Sequence, residues 1–205
     1  MKDGVIITIS RESYCGADKL AKDLADKIGY KFYDREIISL ASQKSGIHEE
    51  HFEDVEKKPT NSILYSVVMG MYSSRGAYVK LDDVLTDDKI YKIQADIIRD
   101  MAAQGNCVFV GRCSDYILRN NKNCYNIFLR GDIEDRVKRV ISEQNVTEAE
   151  AKKIVSRADK KRRSYYNYYT NREWGDISNY DIMLNLSKIS GNDALDIIVD
   201  FLNRT

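Results

Sequence analysis

The stretch VIITISRESYCGADKL, residues 5–20, decides the fold of this chain. It opens with a run of mostly branched apolar residues at 5–9, the pattern of a strand buried on both faces of a parallel sheet. The polar residues 10–13 end that strand. Apolar residues then recur at spacings of three and four, which predicts a helix up to Gly29, a residue typical of helix ends.

A strand, a tight loop and a helix in this order form the geometry of a loop that binds phosphate. Backbone N–H groups and the positive end of the helix dipole then point at the anion. The P-loop motif is G-x-x-x-x-G-K-[ST], and here only its second glycine, Gly16, is present. Arg11, Ala17 and Asp18 replace the first glycine, the lysine and the hydroxyl residue. Two interpretations stay open: a modified phosphate loop, or an ordinary βα unit of an α/β domain.

Length and composition exclude several classes of protein. The 205 residues are 43% hydrophobic, enough for one substantial core and one domain with insertions. Thirty-two basic and 32 acidic residues give zero net charge, which disfavours a globally basic nucleic-acid-binding protein. No apolar run approaches the roughly 18 residues of a membrane span. The four cysteines lack paired metal-ligand spacing, which indicates reduced thiols in a cytoplasmic protein.

The rest of the chain alternates between short apolar runs and stretches with helical periodicity. The predicted strands after the first are residues 30–33, 107–110, 125–129 and 181–185. This alternation predicts a three-layer α/β/α sandwich around a five-stranded parallel sheet.

The second buried strand is followed at once by Gly111 and Arg112. In open α/β sheets, ligands collect beyond the carboxyl ends of the strands. Arg112 is therefore a candidate anion ligand, with an exposed salt-bridging arginine as the alternative.

Residues 147–169 combine a capping-box sequence, seven basic residues and four tyrosines. Basic and aromatic residues in this arrangement are compatible with binding single-stranded nucleic acid. They are equally compatible with a mobile lid whose arginines neutralise phosphates, or with a solvated basic helix that has a tyrosine core face.

Several motifs in sequence order resemble one known family. They are ITISRESYCGA at 7–17, FYDREII at 32–38, VFVGR at 108–112 and SRADKKRRSYYNYYTNREWGDISNYDIMLN at 156–185. Together they resemble the cytidylate kinase-like family, a branch of the P-loop nucleoside monophosphate kinases, over nearly the whole chain.

The resemblance implies transfer of the ATP γ-phosphoryl group to CMP or dCMP, with Mg²⁺ as cofactor and nucleotides as partners. It implies one kinase domain with its core at 1–58, 87–146 and 176–205. An acceptor-binding insertion would occupy about 59–86 and a lid about 147–175.

The resemblance also implies site residues, in three sets. The phosphate and ATP set is Ser10, Arg11, Glu12, Ser13, Tyr14, Cys15, Gly16, Ala17, Asp18 and Arg162. The acceptor set is Asp34, Arg35, Gly111 and Arg112. We expect Arg11, Arg157 and Arg163 to supply catalytic positive charge, and Asp18 to be the candidate Mg²⁺ ligand.

The chain departs from typical cytidylate kinases at several of these positions. Ala17 replaces the lysine, and Cys113 replaces an aspartate after the Gly-Arg pair. Arg35-Glu36 replaces Thr-Gly, and Leu40 stands where an acceptor-side arginine is expected. Two alternatives to a cytidylate kinase therefore remain: a nucleotide-binding regulator with impaired catalysis, and a kinase for a different small acceptor.

Overall fold

The computed structural model describes residues 4–34, 37, 39, 46 and 87–205, and every structural statement below concerns these. Two of the sequence-based expectations, Arg35 as an acceptor ligand and the insertion at about 59–86, fall outside the described residues. Element labels count the described helices and strands only.

Five parallel strands form one sheet in the order β2-β3-β1-β4-β5. The strands are β1 Ile6–Arg11, β2 Lys31–Tyr33, β3 Cys107–Val110, β4 Cys124–Arg130 and β5 Ile182–Asn185. The helices are α1 Ala17–Ile28, α2 Asp87–Ala102, α3 Ser114–Ile117, α4 Ile133–Gln144, α5 Glu148–Thr170 and α6 Gly191–Arg204. All five predicted strands are confirmed, and the sheet lies between two helical layers as predicted.

The two faces of the central strands bury different helices. Ile7 and Ile9 of β1 pack in one cluster with α1 and α6. Ile6 points to the opposite face, where Phe109 of β3 packs with α2 and α5. Each fully buried isoleucine contributes roughly 2–3 kcal/mol of hydrophobic stabilisation. The nearly continuous apolar sequence of β1 is therefore the sequence of a strand that is covered on both faces.

Helix α5 is a long amphipathic helix and not a free basic segment. Its N-terminus carries the predicted capping box, in which Thr147 Oγ1 accepts from the Glu150 amide and Glu150 accepts from the Thr147 amide. Tyr165 and Tyr166 are buried, and Tyr169 stacks on Tyr91 of α2 with ring centroids 4.1 Å apart. Most of these tyrosines therefore pack in the core, which agrees with the interpretation of residues 147–169 as a basic helix with a tyrosine core face.

Two local features depart from what the periodicity of the sequence indicates. Ile133 has the spacing of an apolar face with Val137 and Val140, but it is 43% exposed because it is the first residue of α4 and precedes the buried turn. The short helix α3 was not anticipated, since four residues are too few to show helical periodicity.

A buried carboxylate lies beneath the tyrosines of α5. Asp115 in α3 is 2% exposed, and its Oδ2 accepts a 2.6 Å hydrogen bond from the Tyr166 hydroxyl. Its other oxygen has no hydrogen-bond partner among the described residues. Burial raises the pKa of the Asp115 carboxyl, and the Tyr166 hydrogen bond partly opposes that shift. The folded state therefore favours the protonated carboxyl.

This shift predicts how the Asp115→Asn variant responds to pH. Because the folded pKa of Asp115 lies above the ordinary value of 3.8, its contribution to stability is complete below that pH and declines as pH rises through the folded pKa. The free energy of unfolding of Asp115→Asn should thus improve relative to wild type as pH rises from 3 to 7 in urea titrations.

The matched variant Tyr166→Phe keeps the carboxyl but removes the hydrogen bond that favours ionisation. In this variant the contribution of Asp115 to the free energy of unfolding should still decline as pH rises, and the decline should extend to higher pH. A pH-independent difference between Asp115→Asn and wild type would show that Asp115 does not titrate abnormally.

Candidate functional site

A cavity of about 680 Å³ opens between the β1–α1 loop and helices α4 and α5; we call it the loop cavity. Its lining residues are Ser13, Tyr14, Gly16, Asp18, Lys19, Arg139, Glu143, Ala158, Lys161 and Arg162. Four of these side chains are cationic and two are acidic. The size suits a ligand of several hundred daltons, and the charge favours an anion.

The loop reaches its conformation through residues with positive φ. Gly16 has φ 92° and precedes the first residue of α1, and Tyr14 has φ 63°. The Glu12 amide donates to the Leu129 carbonyl at 2.9 Å, and the Ser13 amide donates to Asp159 Oδ1 at 2.9 Å. The amides of Tyr14, Cys15 and Gly16 come next, and α1 then begins at Ala17, where the first N–H groups of a helix have no intrahelical acceptor. An anion in the loop cavity therefore faces the part of the loop nearest the helix.

A buried guanidinium fastens the loop to both flanking helices. Arg136 of α4 donates from Nη1 to Asp159 Oδ2 of α5 at 2.6 Å and to the Ser13 carbonyl at 3.2 Å. Its Nε lies 3.7 Å from Glu12 Oε2, which accepts from the Gly131 amide at 3.0 Å. Sequence reasoning missed Arg136 and Asp159. The available signal was a single arginine among the apolar positions of α4.

A second, small cavity of about 30 Å³ lies beyond the ends of β1 and β3; we call it the strand-end cavity. Its lining residues are Ser10, Arg11, Gly111, Arg112, Cys113, Arg162, Tyr165, Tyr166 and Trp174. Arg112 is 8% exposed, so it is not the exposed arginine of the alternative interpretation. Arg112 and Cys113 have φ of 59° and 55°, and strained backbone of this kind clusters at functional sites.

Arg11 lies at the strand-end cavity. Its Nε donates to Asp18 Oδ1 at 2.9 Å, and its Nη2 lies 4.0 Å from Asp34 Oδ1. Nη1 packs so closely on Gly111 that a Cβ there would overlap it. The structure thus brings Arg11, Asp34, Gly111 and Arg112 together. Arg11 was expected at the phosphates of the loop, but its guanidinium lies on the acceptor side of the predicted set.

The arginines of α5 divide differently from the sequence-based expectation. Arg162 lines both cavities, and its Nη1 donates to the Arg11 carbonyl at 2.9 Å. Arg157 is exposed and is absent from the described lining of either cavity. Arg163 is also exposed, with its guanidinium 5.8 Å from the Trp174 ring centroid. The helical register of α5 turns only one of the three toward the site.

The residues of the predicted phosphate set also point in different directions. Ser13, Tyr14, Gly16 and Asp18 line the loop cavity, whereas Ser10 and Arg11 line the strand-end cavity. Glu12, Cys15 and Ala17 line neither described cavity. Burial raises the pKa of the Cys15 thiol, whose Sγ lies 3.6 Å from the Leu129 carbonyl oxygen, so this cysteine is not an activated thiolate.

The described residues contain no cluster of three or more His, Cys, Asp or Glu side chains able to hold a metal ion. Asp18 nevertheless fits a different kind of Mg²⁺ site, because proteins commonly bind this ion through one or two carboxylates together with substrate phosphates. Its side chain is 64% exposed, and the Arg11 contact uses Oδ1. In the part of the chain that the structure covers, no helix is both long and apolar enough to cross a membrane.

Comparisons with known proteins agree with this architecture. The model of the "Cytidylate kinase-like family" matches residues 6–188. A cytidylate kinase of Sulfolobus acidocaldarius is 23% identical over 200 residues, which cover 97% of this chain and 94% of that protein.

Solved structures show the same fold. An uncharacterized protein from Eubacterium ventriosum superimposes with a TM-score of 0.73 at 27% identity, covering 98% of this chain and 99% of that one. A shikimate kinase from Bacteroides thetaiotaomicron superimposes with a TM-score of 0.54 at 13% identity, covering 97% and 98%. The predicted fold of the P-loop kinases is therefore confirmed.

The contact between Gly111 and Arg11 predicts an asymmetry between two glycine variants. Gly111 and Gly29 have φ of 70° and 71°, so alanine at either should cost about 1 kcal/mol through backbone strain. Only at Gly111 does the new Cβ meet a neighbour, Arg11 Nη1, whereas Gly29 has open space. Urea unfolding should show the larger loss for Gly111→Ala. Equal losses would show that Asp18 and Asp34 do not hold the Arg11 guanidinium against Gly111.

Proposed function

The chain belongs to the cytidylate kinase-like family, and we propose that it is a cytoplasmic phosphotransferase that moves the γ-phosphoryl group of ATP to CMP or dCMP. One observation carries the proposal most directly: two cationic cavities adjoin, and Arg162 lines both of them. A group transferred from a ligand in one cavity to a ligand in the other would pass this guanidinium.

The donor belongs in the loop cavity. Its volume of about 680 Å³ accommodates a nucleoside triphosphate, whereas the strand-end cavity, at about 30 Å³, holds roughly one water molecule. The amides and positive dipole end of α1 favour the phosphates there.

The acceptor phosphate belongs beside the arginines that line the strand-end cavity, which must widen to admit it because its volume fits roughly one water molecule. The guanidinium groups of Arg112 and Arg11 would bind phosphate through paired N–H donors, and Arg11 would exchange its contacts with Asp18 and Asp34 for the phosphate. Asp34 Oδ1 lies 4.0 Å from Arg11 Nη2, and this carboxylate would face the nucleoside of the acceptor. Because Arg112 is almost fully buried, its contact with phosphate would be partly desolvated and correspondingly strong.

Phosphoryl transfer requires in-line positioning and positive charge on the transferring oxygens more than covalent chemistry by the protein. Arg162 supplies that charge between the two ligands, and Arg11 and Arg112 hold the acceptor. Asp18 would hold Mg²⁺ on the donor side, where the ion neutralises phosphate charge. The proposed lid, about residues 147–175, would cover the transferring phosphate with α5 and exclude water from the transfer.

One observation favours a second candidate function. Position 17 is an alanine that is 2% exposed, so the loop does not supply the cation that a P-loop lysine normally brings to the β- and γ-phosphates. A regulatory protein that binds nucleotide without transferring phosphate would tolerate this loss.

A coupled assay separates the two candidates. ATP and Mg²⁺ are supplied with a panel of nucleoside monophosphates and small alcohols, and nucleotide binding is measured in parallel by calorimetry. We expect turnover that is highest with CMP or dCMP. Turnover that is highest with a different acceptor would transfer the proposal to that acceptor. ATP binding without turnover on any acceptor would establish the regulator, and no nucleotide binding would overturn both.

Two neighbouring arginines provide a matched test of the transfer site. Arg162→Ala should lower kcat/KM by about 100-fold or more, the usual effect of losing a donor aimed at transition-state charge. Arg163→Ala removes the same charge one residue further along α5 and should change kcat/KM less than about 3-fold, because Arg163 is exposed and is not among the described lining of either cavity. Equal losses for both variants would show only a general effect of charge, and an active Arg162→Ala would refute the assignment.

A further inference from the structure

The loop cavity contains a guanidinium that sequence reasoning did not identify. Arg139 of α4 lines this cavity, with its guanidinium close to Gly16. A Cβ built on Gly16 would lie 2.9 Å from Arg139 Nη1 and 3.1 Å from Nη2. Gly16 immediately precedes α1, so this guanidinium stands directly before the N-terminus of that helix.

The position of Arg139 is set by the packing of its helix. Val137 and Val140 on either side of it are buried and pack against Ala151 and Val155 of α5. The backbone of α4 is therefore fixed against α5, whereas the Arg139 side chain is exposed and lines the loop cavity. A long side chain on a fixed helix can follow a bound phosphate without rearrangement of the fold.

Two of the four cations that line the loop cavity already have a partner in the structure. Lys19 pairs with Asp23 at 2.6 Å, and Arg162 donates to the Arg11 carbonyl. Arg139 and Lys161 have no ion pair or hydrogen bond within the described part of the chain. Their charges therefore remain available to a ligand in this cavity.

We propose that Arg139, assisted by Lys161, takes over the role of the absent loop lysine and binds the polyphosphate of the donor nucleotide. The proposal rests on the proposed function, because it assigns a residue to the donor side of the same reaction. A guanidinium presents two parallel N–H donors to phosphate oxygens, which a lysine cannot do. The negative charge of the donor polyphosphate would thus be neutralised by a residue of α4 and not by a residue at position 17.

The test compares phosphate-bearing and phosphate-free ligands. Calorimetry measures the binding of ATP, and of adenosine by competition, to wild type, Arg139→Gln and Arg139→Lys. Loss of a charge-assisted contact should weaken ATP binding by about 10- to 100-fold in Arg139→Gln and leave adenosine binding unchanged. Arg139→Lys should retain most of the ATP affinity. Position 139 is exposed, and arginine, glutamine and lysine are all long polar side chains, so these substitutions should not impair folding.

A neighbouring residue supplies the control. Lys138 lies on the same helix, pairs with Asp135 at 3.4 Å and is not among the described lining of the loop cavity. Lys138→Ala should bind ATP as wild type does.

Each outcome has one meaning. If wild type binds ATP and Arg139→Gln binds it equally well, this inference fails and the proposed function stands. If Arg139→Gln weakens the binding of ATP and of adenosine by the same factor, the Arg139 side chain acts on the nucleoside and this inference fails. If wild type binds no nucleotide, the proposed function fails together with it.

Discussion

The site depends on one buried guanidinium. Arg136 ties the loop after β1 to α4 and α5 at once, through the Asp159 carboxylate and the Ser13 carbonyl. The side chains of Arg136 and Asp159 are only 8% and 15% exposed, so their ion pair is mostly buried. Removing one partner of a fully buried pair typically costs about 3–5 kcal/mol, whereas an exposed pair is worth about 0–1 kcal/mol, and the cost here should lie between the two. The geometry of the loop therefore depends on contacts made more than a hundred residues further along the chain.

This attachment explains how a modified P-loop keeps a usable shape. Asp159 accepts the amide of Ser13, and Glu12 accepts the amide of Gly131, so two acidic side chains hold the first half of the loop. The second half of this loop, which includes Tyr14 and Gly16, lines the loop cavity. Arg162, on the same turn of α5 as Asp159, then reaches the boundary between the two cavities. One helix thus both shapes the loop and delivers a cation to it.

The sheet could be predicted from sequence because its signals are local. The apolar runs of β1 and β3, the glycine ends of α1 and the capping box of Thr147 each lie within a few residues. The cluster of Arg11, Asp34, Gly111 and Arg112 was partly predictable for a similar reason, since Arg112 directly follows a buried strand. Ligands of open α/β sheets collect beyond the carboxyl ends of the strands, which predicts that Arg112 lies at the site.

The side-chain arrangement could not be predicted in the same way, because it depends on helix rotation and on contacts between distant elements. Arg157, Arg162 and Arg163 look alike in sequence, but the packing of α5 turns only Arg162 inward. Arg11 was expected to bind donor phosphates, whereas its guanidinium lies against Gly111 at the strand-end cavity, 4.0 Å from Asp34. Arg139 gave no signal in sequence, since its importance comes from a glycine more than a hundred residues earlier.

The central claim is that an anion binds the main-chain amides where β1 gives way to α1. The most direct measurement follows the backbone amide resonances of the ¹⁵N-labelled protein as Mg²⁺ and ATP are added. The account predicts that the largest shifts occur at Cys15, Gly16 and Ala17, and that Gly111 and Arg112 respond mainly when CMP follows. Saturable shifts confined to other parts of the chain, with the loop amides unchanged, would contradict it.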